Sequence, residues 1–211
     1  MGRPLVIGHR GFAGRFPENS LEAVRQAVAI GADGLEIDVR PCLDGIWVCH
    51  HDRTRSGREV SGMRLFELRR DGVPTLEEVV RLIPAERWLF VEVKPLAASD
   101  LDRALAALLS PLRSRTTRTR IISSSLPVLG ALQAALPDAA FSWVFGSLPE
   151  WLPSGFELSP KHGLVEQLLP AARPLHPWTV NRPDRMLVLA ALGVASITTN
   201  HPDRAVEVLH G

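Results

Sequence analysis

Short apolar runs and longer amphipathic segments alternate along the chain. Runs of four to six residues at 4–8, 34–39, 89–93, 120–123, 140–145, 155–158, 177–180 and 196–199 read as β-strands. Helical spacing of apolar positions covers 20–30, 76–83, 100–110, 126–136, 162–173, 183–192 and 202–209. Starts carry Ser, Thr, Asp or Asn and stops fall at Gly or Pro, with Asn19 or Ser20 capping the first helix, Gly31 ending it and Thr75 opening the next. Strands alternating with helices predict an α/β fold with a parallel sheet. Eight strand–helix units fit closure into a (β/α)8 barrel, with an open doubly wound sheet as the rival topology.

One apolar run breaks the alternation. Residues 46–50 follow Val39 after six residues that end in Asp44-Gly45. A parallel crossover needs a dozen residues or more, so this run is predicted to turn back antiparallel as a hairpin after strand 2. Its far end, His50-His51-Asp52, would then return toward the C-terminal rim, where barrel active sites lie.

Composition narrows the class. The 211 residues, 45% hydrophobic and 22% charged, are ordinary for a globular chain and are expected to form one domain over 1–211. The net charge of +1 gives no strong pull toward nucleic acid or an anionic membrane. The basic stretch 113–120 is read as a solvated loop before a strand. No run has the length of a membrane span, and the apolar start is too short for a signal-peptide core, so a cytoplasmic protein without a membrane anchor is expected. Cys42 and Cys49 lack the company of a zinc site.

Polar residues collect at strand ends. His9 and Arg10 follow the first strand, Glu36 and Asp38 lie in the second at i and i+2, and Glu92 and Lys94 repeat that spacing at the third. Each i, i+2 pair shares a face, while Leu35, Ile37, Val39, Val91 and Val93 take the other. With the apolar face packed on helices, three carboxylates project inward, which is costly without a compensating cation. Three oxygen ligands suit one Mg²⁺ or Ca²⁺ rather than zinc. His9 and His51 could supply acid and base, and Arg10 and Lys94 suit a phosphate. Metal, two histidines and two cations point to phosphoryl chemistry. His50 is the alternative to His51, though no Asp follows it directly. Trp47, Trp88, Trp143 and Trp151 are expected to pack. Ser123–Ser125 lack the G-x-S-x-G surroundings of a serine hydrolase.

The motifs then point to a family. Ile7-Gly8-His9-Arg10-Gly11 with Pro17-Glu18-Asn19-Ser20 resembles the opening signature of glycerophosphodiester phosphodiesterases. Glu36-Ile37-Asp38-Val39, Asp44-Gly45, His51-Asp52, Val91-Glu92-Val93-Lys94, Trp178-Thr179-Val180-Asn181 and Thr198-Thr199-Asn200-His201-Pro202 continue it in order. The resemblance implies a (β/α)8 barrel and metal-dependent hydrolysis of a small glycerophosphodiester to glycerol 3-phosphate and an alcohol. It implies His9 and His51 as the acid/base pair; His9 as base and His51 as acid is the preferred order, and the reverse order stays open. Glu36, Asp38 and Glu92 would be the metal ligands, Arg10 and Lys94 the phosphate contacts, and Trp178 a residue near the glycerol side. The alternatives are lysophospholipase-D-type cleavage and a barrel that binds phosphodiesters without turnover. The chain departs from the family pattern in a short 53–73 segment, with little or no insertion domain, and at Ser125-Leu126, Ala195-Ser196 and Asn200.

Overall fold

The computed structural model describes residues 2–211. Seven parallel strands form one curled sheet: β1 (Leu5–Gly8), β2 (Gly34–Pro41), β6 (Trp88–Val93), β7 (Thr119–Ser123), β8 (Ala140–Phe145), β9 (Glu157–Pro160) and β10 (Ser196–Thr199). Their order is β10-β1-β2-β6-β7-β8-β9. The short β3 (Trp47–Cys49) pairs antiparallel with the end of β2, matching Val39 to Cys49. With flanking helices this is an α/β TIM-like barrel.

The expected strand at 177–180 is not a regular strand. Residues 174–180 instead bridge β9 and β10 through separate hydrogen bonds, including His176 N to Leu158 O (2.8 Å), Thr198 N to Pro177 O (3.0 Å) and Val180 N to Thr198 O (2.9 Å). Pro174 and Pro177 have no N–H to donate, so a continuous ladder cannot form here.

The helices are α1 (Leu21–Ala29), α2 (Leu65–Arg70), α3 (Leu76–Val80), α4 (Ala98–Leu112), α5 (Leu126–Ala135), α6 (Val165–Leu168), α7 (Pro183–Ala191) and α8 (Pro202–His210). The Ser20 side chain caps α1 by accepting from Ala23 N. Thr75 and Glu78 form a reciprocal capping box on α3. The helix expected over 162–173 is reduced to α6 between two 3₁₀ turns, because Gly163 and Pro170 interrupt it.

Apolar side chains divide radially. Leu35, Ile37, Val39, Leu89, Val91 and Val93 face outward and pack under the helices. Ile7, Phe90, Ile122 and Val144 form a smaller cluster inside the barrel. The segment 53–73 builds a hairpin, β4 (Thr54–Arg55) with β5 (Arg58–Glu59), then a 3₁₀ turn and α2. It has its own core of Cys42, Val48, Val60, Met63, Leu68 and Val73.

Two packing expectations are corrected. The basic stretch is not simply solvated: Arg115 is buried and donates to Ile83 O and Arg87 O, and Arg120 points into the barrel over Trp88 and Phe90. Trp151 does not pack, being 63% exposed. Among the described residues no helix is long and apolar enough to cross a membrane.

Candidate active site

The β1 end carries the first two polar groups. Arg10 and Gly11 both take positive φ, turning the chain sharply after His9. A Cβ on Gly11 would meet the Ala23 backbone at 2.7 Å, so α1 comes close only because this residue is glycine. The turn sends the Arg10 N–H to Glu36 Oε2 (3.0 Å).

β2 and β6 place the carboxylates. Their register pairs Asp38 with Glu92 directly, so alternation brings both to the inner face beside Glu36. Glu36, Asp38 and Glu92 each offer an oxygen, all within 4.8 Å of one another. Lys94 Nζ lies 2.6 Å from both Asp38 Oδ1 and Glu92 Oε1. Arg10 Nε lies 3.0 Å from Asp38 Oδ2. Asn19, rather than capping α1, is buried against Asp38: Nδ2 donates to Oδ2 (2.9 Å), and Asp38 N donates to Asn19 Oδ1 (3.0 Å).

The carboxylates differ electrostatically. Burial, then the charges of Asp38 and Glu92, holds the Glu36 carboxyl well above its ordinary pKa. Burial also raises Glu92, against the pull of Lys94. For Asp38 burial acts upward too, but Lys94 and Arg10 outweigh it and the net shift is downward. Glu36 Oε1 is buried without a partner. A partnerless carboxylate oxygen beside two more carboxylates is the donor set of a hard divalent cation, so these residues fit one.

The histidines flank this cluster. His9 Nδ1 donates to Asn200 Oδ1 (2.6 Å), and its Nε2 lies 3.9 Å from Glu36 Oε2. Burial lowers the His9 pKa. His51 follows β3, whose end is tied down by His50 N donating to Asp38 O (3.1 Å). His51 Nδ1 donates to Asp52 Oδ1 (2.8 Å), and that bond holds the Asp52 carboxyl below its ordinary pKa.

His9, Arg10, Glu36, His51, Glu92 and Lys94 all line one cavity of about 160 Å³. Trp178 lines it as well, but its indole N–H donates to Ser159 O (2.8 Å), leaving only ring surface for a ligand. Asp38 lies behind Lys94 and Arg10, fully buried. His50 turns elsewhere, its Nε2 3.2 Å from Thr54 O. Ser123 Oγ is occupied by Val93 O (2.6 Å). Sequence reasoning missed three polar neighbours: Asn19 as the partner of Asp38, Asn200 as the partner of His9, and Arg40, whose Nε donates to His51 O (3.0 Å). For Arg40 the signal was present, since it extends the i, i+2 series of Glu36 and Asp38.

Known proteins resemble this chain over nearly its whole length. The chain matches the glycerophosphoryl diester phosphodiesterase family over residues 9–132 and 114–204. A Mycobacterium tuberculosis protein named probable glycerophosphodiester phosphodiesterase 1 is 30% identical over 253 residues, covering 96% of this chain and 91% of its own. A glycerophosphodiester phosphodiesterase structure from Parabacteroides distasonis has a TM-score of 0.84 at 25% identity, covering 99% of this chain and 98% of that one. An Oleispira antarctica phosphodiesterase, solved with the product sn-glycerol-3-phosphate, has a TM-score of 0.83 at 23% identity, covering 99% and 98%.

Proposed function

The chain belongs to the glycerophosphoryl diester phosphodiesterase family, and from that premise we propose that it cleaves a small glycerophosphodiester to glycerol 3-phosphate and an alcohol, with a divalent cation at Glu36, Asp38 and Glu92 and with His9 and His51 as the acid/base pair. The observation that carries this reading is the convergence of three carboxylates, two histidines and two cationic side chains at strand ends on one rim.

The residues divide the work by their partners. A bound Mg²⁺ or Ca²⁺ would supply positive charge to stabilise phosphoryl oxygens and an oxygen nucleophile. His9 is suited to accept a proton at Nε2, because Asn200 takes the Nδ1 proton and burial favours the neutral ring. His51, with Nδ1 held by Asp52, is suited to deliver a proton from Nε2 to the leaving alcohol. Arg10 and Lys94 bring fixed positive charge to the phosphate side, although each also neutralises Asp38. Trp178 offers an apolar wall to the glycerol carbons.

The test is product release. Purified protein with Mg²⁺ or Ca²⁺ is expected to yield glycerol 3-phosphate from glycerophosphoethanolamine, and EDTA is expected to stop it. Full turnover in EDTA would remove the cation from the reading, and no turnover with any divalent ion would remove the reading itself.

A further inference from the structure

The inner face of β2 does not end at Asp38. Arg40 is two residues further toward the rim, on the same face as Glu36 and Asp38. It is half-buried, and only its Nε is occupied, by the His51 carbonyl. No carboxylate lies within salt-bridge distance of Arg40 among the described residues. The carboxylates whose charge reaches it have other partners, Asp38 with Lys94 and Arg10, Asp52 with His51 and Glu92 with Lys94, and the two that share its cavity, Glu59 and Asp100, pair with Arg53 at 2.7 Å and Arg103 at 3.2 Å. Its terminal N–H groups have no protein acceptor and stay open to solvent, so an anion entering this space can take them.

Arg40 opens onto a second cavity, of about 550 Å³. One wall is the 53–61 segment, through Arg53, Glu59 and Ser61. The other is the turn after β6, Pro95 to Ala97, leading into the fifteen-residue α4. Ala97 caps that helix without a side-chain hydrogen bond, so its first N–H groups border the same space, with Asp100 of the first turn also lining it. The walls continue along the chain into the catalytic cavity: Lys94 lines one and Pro95 the other, while His51 lines one and Arg53 the other. This second cavity therefore adjoins the side on which His51 would protonate the leaving alcohol.

We propose that this cavity is the subsite for the leaving alcohol and that Arg40 selects alcohols bearing an anionic group, of which a carboxylate is the simplest. The inference rests on the phosphodiesterase reading above and deepens it. An anionic substituent beyond the scissile phosphate meets the free edge of the Arg40 guanidinium and the N-terminal end of α4. A neutral or purely cationic substituent leaves Arg40 unpaired.

Glycerophosphoserine and glycerophosphoethanolamine differ by one carboxylate and make the probe pair. The readout is the ratio of their kcat/KM values, in wild type, Arg40→Gln and Arg40→Lys. Wild type is expected to favour the serine diester. Arg40→Gln should lower the serine/ethanolamine ratio about tenfold, the scale of one charge-assisted contact. Arg40→Lys should keep most of the ratio, because the charge remains. Loss of the His51 carbonyl contact slows both substrates together and cancels in the ratio. An equal fall on both substrates, with an unchanged ratio, would overturn the proposal and assign Arg40 to the shared phosphate or to positioning His51. Turnover of neither diester in wild type would overturn the phosphodiesterase reading, and this subsite with it.

Discussion

Replacing Glu36 with Gln should make the cation-free protein more stable while removing its affinity for a divalent ion. Lys94 contacts Asp38 and Glu92 at 2.6 Å, and Arg10 contacts Asp38 at 3.0 Å, so two of the three carboxylates have a cation partner. Glu36 has only the Arg10 backbone N–H at 3.0 Å and the His9 ring at 3.9 Å. Charges no more than 4.8 Å apart repel by about 3.5 kcal/mol or more at an effective dielectric of about 20. Lys94 and the backbone N–H offset part of this, which leaves a gain of about 1–3 kcal/mol for Glu36→Gln. The amide keeps an acceptor for the Arg10 N–H. A carboxyl whose folded pKa lies above its unfolded value of 4.5 binds more protons when folded. Its ionisation destabilises the fold at high pH, and the burden lifts as pH falls toward 4.5. The variant's advantage should therefore be largest near pH 8 and shrink toward pH 5. Urea and thermal unfolding in EDTA measure it, at about 2–4 °C per kcal/mol for a chain of this size. Adding Mg²⁺ or Ca²⁺ should raise wild type by about 2.7 kcal/mol at a hundredfold excess over Kd and the variant by much less. A variant less stable than wild type in EDTA, or one that gains as much from the cation, refutes this account of Glu36.

His9→Ala and His51→Ala should each lower kcat by roughly 10²–10⁴-fold with the fold intact by circular dichroism; near-normal turnover removes that histidine from the mechanism. Because burial holds His9 below 6.5, the acid limb of kcat/KM that it sets should fall below pH 6.5, and Asn200→Ala, which removes an interaction that raises His9, should move that limb lower still. Lys94→Met leaves Asp38 and Glu92 without their shared ammonium and should cost about 3–5 kcal/mol in urea unfolding, opposite in sign to Glu36→Gln.

The parts of the site that could be read from sequence are those that obey a period. Glu36 and Asp38, like Glu92 and Lys94, sit two apart in apolar strands, and alternation alone puts them on one face. Polar contacts between distant segments obey no period. The same Asn19 reads as a helix cap until the fold sets it on Asp38, and Asn200 finds His9 across 191 positions of sequence. Helix α2 carried no Ser, Thr, Asp or Asn at its start. Its opening rests instead on Glu67 reaching back to the Arg64 N–H (2.8 Å), which is visible only once the turn exists. Residues 177–180 read as a strand because Trp178-Thr179-Val180 has strand composition, and Pro177, with Pro174 just before it, decides against a ladder.

The charge balance of the pocket also bears on how a chain of net charge +1 can handle an anionic diester. Three carboxylates against Lys94 and Arg10 leave the cluster one charge negative with every carboxyl ionised, and neutral with Glu36 protonated. A phosphodiester is itself a monoanion, so the cation-free pocket offers it no net attraction. A divalent cation bound at the carboxylates, as proposed, would reverse that sign locally without any change in the charge of the rest of the surface. Substrate affinity would then be coupled to occupancy of the carboxylate cluster, with little contribution from distant surface charge, which is screened beyond roughly 8–10 Å at moderate salt. Lys94, buried at 7% exposure, has its charge met by both Asp38 and Glu92, and its ammonium favours the ionised form of each, which in the proposed reading serves cation binding as well as the phosphate.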